Sequence, residues 1–229
     1  LPRRFQGYGN GLAGASRTGP TRCARRMSSP EIVVLVAHPR LEHSRVNRAL
    51  LHAAKGLPPG RADVRNLYAL YPDYLIDVDA ERAAVAAARL VVWQFPFQWY
   101  GMPPLLKLWL DDVFGFGWAY GPGGTALRGK DLWLTVSTGG GQEAYHPSGH
   151  NRHFIDAFWP PAEQTAALAG MRFLPPLVLH GAHRVDDSTV RDHAALYAER
   201  LASYPAWPEI DELEPDLSCA VPETDRPED

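Results

Sequence analysis

Short apolar runs alternate along the chain with longer stretches of helical character. The first run, Ile32–Val36, is continuous and mostly β-branched, which is typical of a strand buried on both faces of a sheet. Further strands are predicted at 62–67, 90–95, 130–137 and 171–179. Helices are predicted at 44–55, 80–88, 104–114, 153–169 and 187–204, with a break near Pro160 and Pro161. This alternation indicates an α/β fold with a five-stranded parallel sheet covered by helices on both faces, and by itself leaves both doubly wound strand orders open.

The charged residues concentrate at the two ends of the chain. Residues 1–30 contain six arginines and no acidic residue, and 205–229 contain nine acidic residues and one arginine, whereas 31–204 is nearly neutral. We interpret 1–30 as a disordered basic extension, 31–204 as one domain and 205–229 as a solvated, acidic, proline-rich tail. The alternatives are an organelle transit peptide at the start and, at the end, docking of the tail's apolar residues on a partner subunit. The neutral domain argues against nucleic-acid binding, and its apolar runs are too short to span a bilayer.

Ligands of open α/β sheets lie beyond the carboxyl ends of the strands, so the segments after strands one, three and four are candidate sites. After strand one come His38 and then the turn 44–47, which offers hydroxyl, amide and backbone N–H groups at a helix N-terminus. Such a turn suits a phosphate group, with Arg45 or Arg48 available for added positive charge. Ser44 could equally serve only as the cap of the helix.

The other two segments suit a planar heterocycle. After strand three, the proline-bounded stretch 95–100 carries four aromatic residues and Gln98, which offer flat faces and an amide group, although a buried hydrophobic loop is the plainer interpretation. After strand four, 137–141 contains three successive glycines, which allow φ above zero and close approach of backbone N–H groups to a ligand. Together the three segments could hold the phosphate, ring face and ring edge of a flavin.

Tyr145 and three histidines follow the glycine-rich segment. The histidine spacing could imitate a zinc site, but Pro147 and Gly149 disfavour the regular helix that would group the rings, so we expect no metal. Tyr145 and His150 are instead candidate proton donors for the reduction of a quinone.

These segments resemble the NAD(P)H:quinone oxidoreductase family of flavodoxin-fold flavoproteins, and particularly the ancillary flavoproteins of glutathione-gated potassium efflux systems. The resemblance covers about residues 31–204. It rests on His38 and on the segments SRVN at 44–47, LYALYPD at 67–73, WQFPFQWY at 93–100, PLLKLW at 104–109, GWAYG at 117–121 and STGG at 137–140. It implies a flavodoxin-like three-layer sandwich with strand order 2-1-3-4-5, and a homodimer with FMN at the subunit interface.

The resemblance also implies roles for individual residues. Cofactor binding is carried onto the following residues: His38, Ser44, Arg45, Val46, Asn47, Pro96, Phe97, Gln98, Trp99, Ser137, Thr138, Gly139 and Gly140. Proton donation falls on Tyr145 and His150, although His150 lies one position off the spacing found in the animal quinone reductases. Trp118 and Tyr120 would join Phe97 and Trp99 in stacking the acceptor. FMN is favoured over FAD because no long C-terminal segment resembles an adenine-binding portion.

The sequence therefore predicts an enzyme in which NADH or NADPH gives a hydride to FMN and leaves before a quinone enters, with ping-pong kinetics. We expect it in the cytoplasm or at the inner face of the cell membrane. Two alternatives are a regulatory subunit docked on a potassium efflux antiporter and a one-electron carrier like flavodoxin.

Overall fold

A computed structural model of the chain describes residues 30–213. Its five strands form one parallel sheet in the order β2-β1-β3-β4-β5, which confirms the flavodoxin-like sandwich and its strand order. The strands are β1 Ile32–Val36, β2 Ala62–Asn66, β3 Leu90–Pro96, β4 Asp131–Ser137 and β5 Arg172–Leu179. The helices are α1 Arg45–Lys55, α2 Leu67–Leu70, α3 Val78–Ala87, α4 Pro104–Val113, α5 Pro160–Leu168, α6 Asp187–Ser203 and α7 Pro208–Glu212.

Helices cover both faces of the central strands, so β1, β3 and β4 are buried along their whole length. Alternate residues of β1 serve the two faces: Val33 and Leu35 pack beneath α3, α4 and α5, while Ile32 and Val34 pack beneath α1 and α6. The continuous apolar runs in the sequence reflect this two-sided burial. None of the helices in residues 30–213 combines the length and apolarity needed to cross a bilayer.

The predicted helix at 153–169 is wrong over its first part. Residues Ile155–Phe158 form a 3₁₀ turn, and α5 begins at Pro160. Pro160 and Pro161 occupy the first turn of α5, where a missing backbone N–H leaves no intrahelical hydrogen bond unmade. The two prolines therefore start this helix and do not break it.

The predicted domain boundary at Tyr204 is too early. Trp207 and Ile210 are only 4% and 8% exposed, and the Trp207 ring lies 4.8 Å from the ring of Trp133 in β4. Residues 205–213 thus close over the α1–α6 face of their own chain, where a solvated tail is expected from the sequence. The predictions for 1–29 and 214–229 fall outside the described residues.

The carboxylate of Glu81 in α3 is completely buried and ties several elements together. It accepts hydrogen bonds from Arg65 Nε and Nη2 at 3.0 and 2.6 Å, and from the Tyr71 hydroxyl. Trp109 Nε1 in α4 donates a further bond at 2.8 Å. The charge is therefore compensated by donors from β2, the α2–α3 connection and α4.

We expect Glu81→Leu to lower the free energy of unfolding by about 3–5 kcal/mol, because the partly buried guanidinium and the buried phenol and indole groups lose their shared acceptor. Lys107→Ala is the control, since it removes only the exposed ion pair with Asp111 and should cost less than about 1 kcal/mol. Urea unfolding followed by circular dichroism measures both. Equal losses in the two variants would contradict the importance of the Glu81 network.

Candidate functional site

A cleft of about 500 Å³ opens at the carboxyl edge of the sheet. It is lined by 44–46 at the start of α1, by 96–98 after β3, by 137–139 after β4, and by His38. A smaller cleft of about 280 Å³ shares Phe97 and Gly139 with it and is lined further by Trp99, Gly140, Tyr145 and His150. Every predicted cofactor residue except Asn47 therefore lines one of these two adjoining clefts.

Backbone groups at the start of α1 could hold an anion in the larger cleft. The Ser44 hydroxyl accepts a hydrogen bond from the Asn47 N–H at 3.1 Å, so Ser44 is the helix cap. The N–H groups of Arg45 and Val46 belong to the first helical turn and have no partner within the helix. Both residues line the cleft. An anion there would meet two backbone donors and the positive end of the helix dipole.

Asn47 occupies a different place from the one expected. Its side chain is buried beneath the larger cleft, and its Nδ2 donates to Ser137 Oγ at 2.8 Å and to Ser44 Oγ at 3.3 Å. Asn47 thus ties the start of α1 to the end of β4, and its direct contact with a ligand stays a prediction.

The side chains of Arg45 and Arg48 are engaged by other groups, whereas Arg40 also lines the larger cleft. Arg45 Nη2 donates to the Val185 carbonyl at 3.2 Å and pairs with Asp187 at the start of α6. Arg48 Nη1 donates to the Glu42 carbonyl at 3.0 Å. The expected charge from Arg45 or Arg48 is therefore engaged elsewhere, although Arg45 remains at the edge of the cleft.

His38 is a neutral hydrogen-bond donor in the larger cleft. Burial lowers the pKa of His38, so the ring is uncharged at neutral pH. Its Nδ1 accepts a hydrogen bond from the Arg40 backbone N–H at 3.1 Å, which places the single ring proton on Nε2. The Nε2–H group is thus available to an acceptor.

The aromatic segment forms a tight turn with left-handed backbone. Gln98 and Gly101 exchange two backbone hydrogen bonds, and between them Trp99 and Tyr100 have φ of 51° and 62°. These values are unfavourable for bulky residues, and such strain concentrates at ligand clamps. The turn leaves Trp99 96% exposed beside the clefts, whereas Phe97 packs edge-on against Phe158.

The glycines after β4 provide space and not an unusual backbone conformation. Gly139 and Gly140 do not have positive φ, so the expectation of φ above zero is wrong for them. A Cβ at Gly139 would come no closer than 3.6 Å to its nearest neighbour, the His183 ring, and one at Gly140 would come no closer than 3.4 Å to Ala144 and Tyr145. The chain itself would tolerate these side chains, which means that the space beside Gly139 is free for a ligand.

Tyr145 and His150 both line the smaller cleft. Burial raises the pKa of Tyr145, an effect that the Thr138 hydroxyl partly opposes, so the phenol stays protonated at neutral pH. His150 is exposed, and His146 bonds to Ser148 outside the clefts. Among residues 30–213, no three histidine, cysteine or acidic side chains are grouped as metal ligands would be.

Trp118 and Tyr120 lie apart from the clefts of their own chain. The Trp118 ring stacks under Arg82 at 5.1 Å, and Tyr120 lines a separate groove of about 330 Å³ between α4 and α5. The predicted acceptor-stacking group of four aromatic residues is therefore divided, because the loop after α4 returns along the outer surface of that helix.

Several lining residues escaped the sequence analysis. Arg40, His43, Ala182 and His183 line the larger cleft, and Asn151 lines the smaller one. Ala182 and His183 follow β5, whose carboxyl end reaches the same edge as those of β1, β3 and β4. Extending the strand-end rule to the fifth strand would have found them.

The family model "Flavodoxin-like fold" matches residues 30–202. The chain is 47% identical over 178 residues to the glutathione-regulated potassium-efflux system ancillary protein KefF of Citrobacter koseri, a match that covers 78% of this chain and 97% of KefF.

Two solved structures share the fold at substantial identity. General stress protein 14 of Treponema denticola, solved with FMN, is 35% identical with a TM-score of 0.71, and 76% of this chain matches 99% of that one. A thermophilic tryptophan halogenase of Streptomycin violaceusniger is 42% identical with a TM-score of 0.70, covering 73% of this chain and 96% of that one. The activities in these names differ, whereas the fold is common to all. The chain belongs to the flavodoxin-like fold family, as the resemblance in its sequence indicates.

Proposed function

We propose that the chain is an FMN-dependent NAD(P)H:quinone oxidoreductase. The observation that carries the proposal is the convergence of three strand-end segments on two adjoining clefts at one edge of the sheet. When bound there, FMN would accept a hydride from NADH or NADPH and deliver two electrons to a quinone in a ping-pong cycle. The residues of the chain would bind, orient and protonate the reactants.

The residues present fit FMN. The N–H groups of Arg45 and Val46 and the Nε2–H of His38 would hold the phosphate, and the open space beside Gly139 would admit the ring. The larger cleft has a volume within the range of about 300–1,000 Å³ typical of ligand pockets. The FMN complex of general stress protein 14 supports this choice over FAD.

The smaller cleft is the place for the acceptor. It adjoins the larger cleft through Phe97 and Gly139, and it holds the protonated phenol of Tyr145 and the ring of His150. A quinone that gains electrons develops negative charge on its oxygens, and a neutral phenol there can donate a hydrogen bond and then a proton. Tyr145 is the stronger candidate because it is fixed by burial, whereas His150 is exposed.

A homodimer would bring the separated aromatic residues to the site. Trp118 and Tyr120 do not reach the clefts of their own chain, so they can stack an acceptor only in the cleft of a second copy. The exposed side chains of Trp99, Tyr100 and Phe116 supply apolar surface for such an interface. We therefore propose that the FMN site is completed at the dimer interface.

The identity of 47% to KefF favours a second candidate function, that of an ancillary protein of a potassium efflux system. In that case the chain would act in the cytoplasm or at the inner face of the membrane, bound to an antiporter. The two functions are compatible, because a docking surface need not involve the clefts.

We expect the purified protein to take up FMN and to oxidise NADH or NADPH in the presence of menadione. Gly139→Ala should weaken FMN binding by about 10-fold to 100-fold, since the added methyl group overpacks the ring site while leaving the chain unstrained. Gln142→Ala, an exposed change outside both clefts, is the control. Flavin fluorescence titration measures the affinity. Protein that takes up no FMN would refute the proposal.

We expect Tyr145→Phe to reduce quinone turnover by about 10²-fold with FMN affinity unchanged, because the proton donor is lost and the ring packing is kept. The pKa of Tyr145 is raised, so the phenol keeps its proton until the pH exceeds the ordinary pKa of tyrosine. Deprotonation of Tyr145 should therefore cause no loss of wild-type turnover between about pH 6 and 9. His146→Ala is the control. If Tyr145→Phe still co-purifies with a potassium efflux antiporter, the ancillary function is independent of catalysis.

We expect two inactive variants to complement each other. One variant is Tyr145→Phe, and the other is the double variant Trp118→Ala and Tyr120→Ala. In their heterodimer, the double variant supplies one cleft with an intact Tyr145. The Tyr145→Phe chain supplies intact Trp118 and Tyr120 to that same cleft. Mixed and refolded chains should therefore show higher quinone turnover than either variant alone. A mixture as inactive as its components would contradict a shared site.

A further inference from the structure

His180 lies directly behind the proposed site without touching it. It follows the last residue of β5, its ring centroid is 5.4 Å from that of Tyr145, and its Nδ1 is 3.2 Å from Thr138 Oγ1. The side chain is half-buried and lines neither cleft. The side-chain contacts of His180 that lead towards the proposed site are those with Thr138 and Tyr145.

The hydrogen bonds of Thr138 determine which nitrogen of His180 carries the proton. Thr138 Oγ1 lies 2.7 Å from the Gly140 carbonyl oxygen, which can only accept, so the single hydroxyl proton is used there. The contact with His180 then requires Nδ1 to be the donor. Burial lowers the pKa of His180, an effect that Glu143 partly opposes, and the ring is neutral with its proton on Nδ1 and a lone pair on Nε2.

The same contact belongs to a larger clamp between two loops. The Gly181 N–H donates to the Gly140 carbonyl at 2.8 Å, and the Ala182 N–H donates to the Thr138 carbonyl at 2.8 Å. The Gly140 carbonyl thus receives two donors, one from the loop after β5 and one from Thr138. The Thr138 hydroxyl therefore helps the Gly181 N–H to fix the Gly140 peptide plane.

We propose that His180 is a positioning residue that donates from Nδ1 to Thr138 Oγ1 and thereby holds the Thr138–Gly140 loop and the Tyr145 ring in their places beside the clefts. The expected effect of His180 on FMN binding rests on the proposed function, since the Thr138–Gly140 loop is the one that would meet the ring edge of FMN. The structural part of the inference, the tautomer and the hydrogen bond, is independent of any ligand. No direct role in proton transfer is required of His180.

Long-range ¹H–¹⁵N correlation spectra of the full chain, recorded without added FMN, test the structural part. The His180 signals are identified by their loss in His180→Asn. We expect Nδ1 protonated and Nε2 unprotonated in the wild type, and a change towards the Nε2–H form in Thr138→Val, which removes the acceptor. A wild-type Nε2–H tautomer would overturn the proposal.

FMN titration of matched variants tests the positioning role. The amide N–H of His180→Asn can replace the Nδ1–H donor, so its FMN affinity should stay near that of the wild type. His180→Leu lacks a donor and should bind FMN about fivefold more weakly, the effect of one ordinary hydrogen bond. In the Thr138→Val background, His180→Leu should cause no further loss.

Equal losses in His180→Asn and His180→Leu, or additive losses with Thr138→Val, would overturn the positioning role. The two proposals fail in different ways. Wild-type protein that takes up no FMN would remove the proposed function, while the tautomer measurement would still decide whether His180 donates to Thr138.

Discussion

The parallel pairing of β1 with β3 is the constraint on which the site depends. Val36 pairs with Gln94, so the two strands end at nearly the same level. The chain then leaves them in opposite directions, through α1 to β2 on one side and through α4 to β4 on the other. The loops cannot fill the space between them, and a crevice results. Because Pro96 pairs with Ser137, β4 delivers the glycine-rich loop to the same edge.

A buried polar network supports this crevice from below. Asn47 Nδ2 bonds to Ser137, Gln94 Nε2 donates to the Asn47 carbonyl at 2.9 Å, and the Tyr197 hydroxyl lies 3.4 Å from Gln94 Oε1. Burial raises the pKa of Tyr197, which therefore stays a neutral donor. Buried polar groups are costly unless they are paired, so this set of partners favours one arrangement of α1, β3, β4 and α6. The geometry of the proposed anion site depends on that arrangement.

The sequence predicts what depends on local pattern and misses what depends on distant partners. Ile32–Val36 is predicted to the residue, since a continuous and mostly β-branched run of this length is typical of a buried strand. The three predicted segments do meet at one edge of the sheet, because strand ends share it by topology. The orientations of Asn47 and Arg45 could not be predicted, because they are set by Ser137 and by Asp187, which are 90 and 142 positions away. The sequence at 160–161 does not show whether the two prolines break a helix or start one, because both roles place proline next to helix-forming residues.

The proposed anion site offers fixed dipoles, and two of the candidate donor side chains beside it are uncharged. The nearby Arg45 and Arg48 side chains are engaged by other groups, while burial keeps His38 and Tyr145 neutral. Backbone N–H groups and a helix dipole stabilise an anion only if they are already oriented towards it. Unlike a long, flexible arginine side chain, they cannot move to meet the anion. The buried bonds of Asn47 to Ser137 and of Thr138 to Gly140 provide that orientation. The polar network beneath the cleft therefore matters to the proposed anion site, because backbone dipoles can hold an anion only on a rigid support.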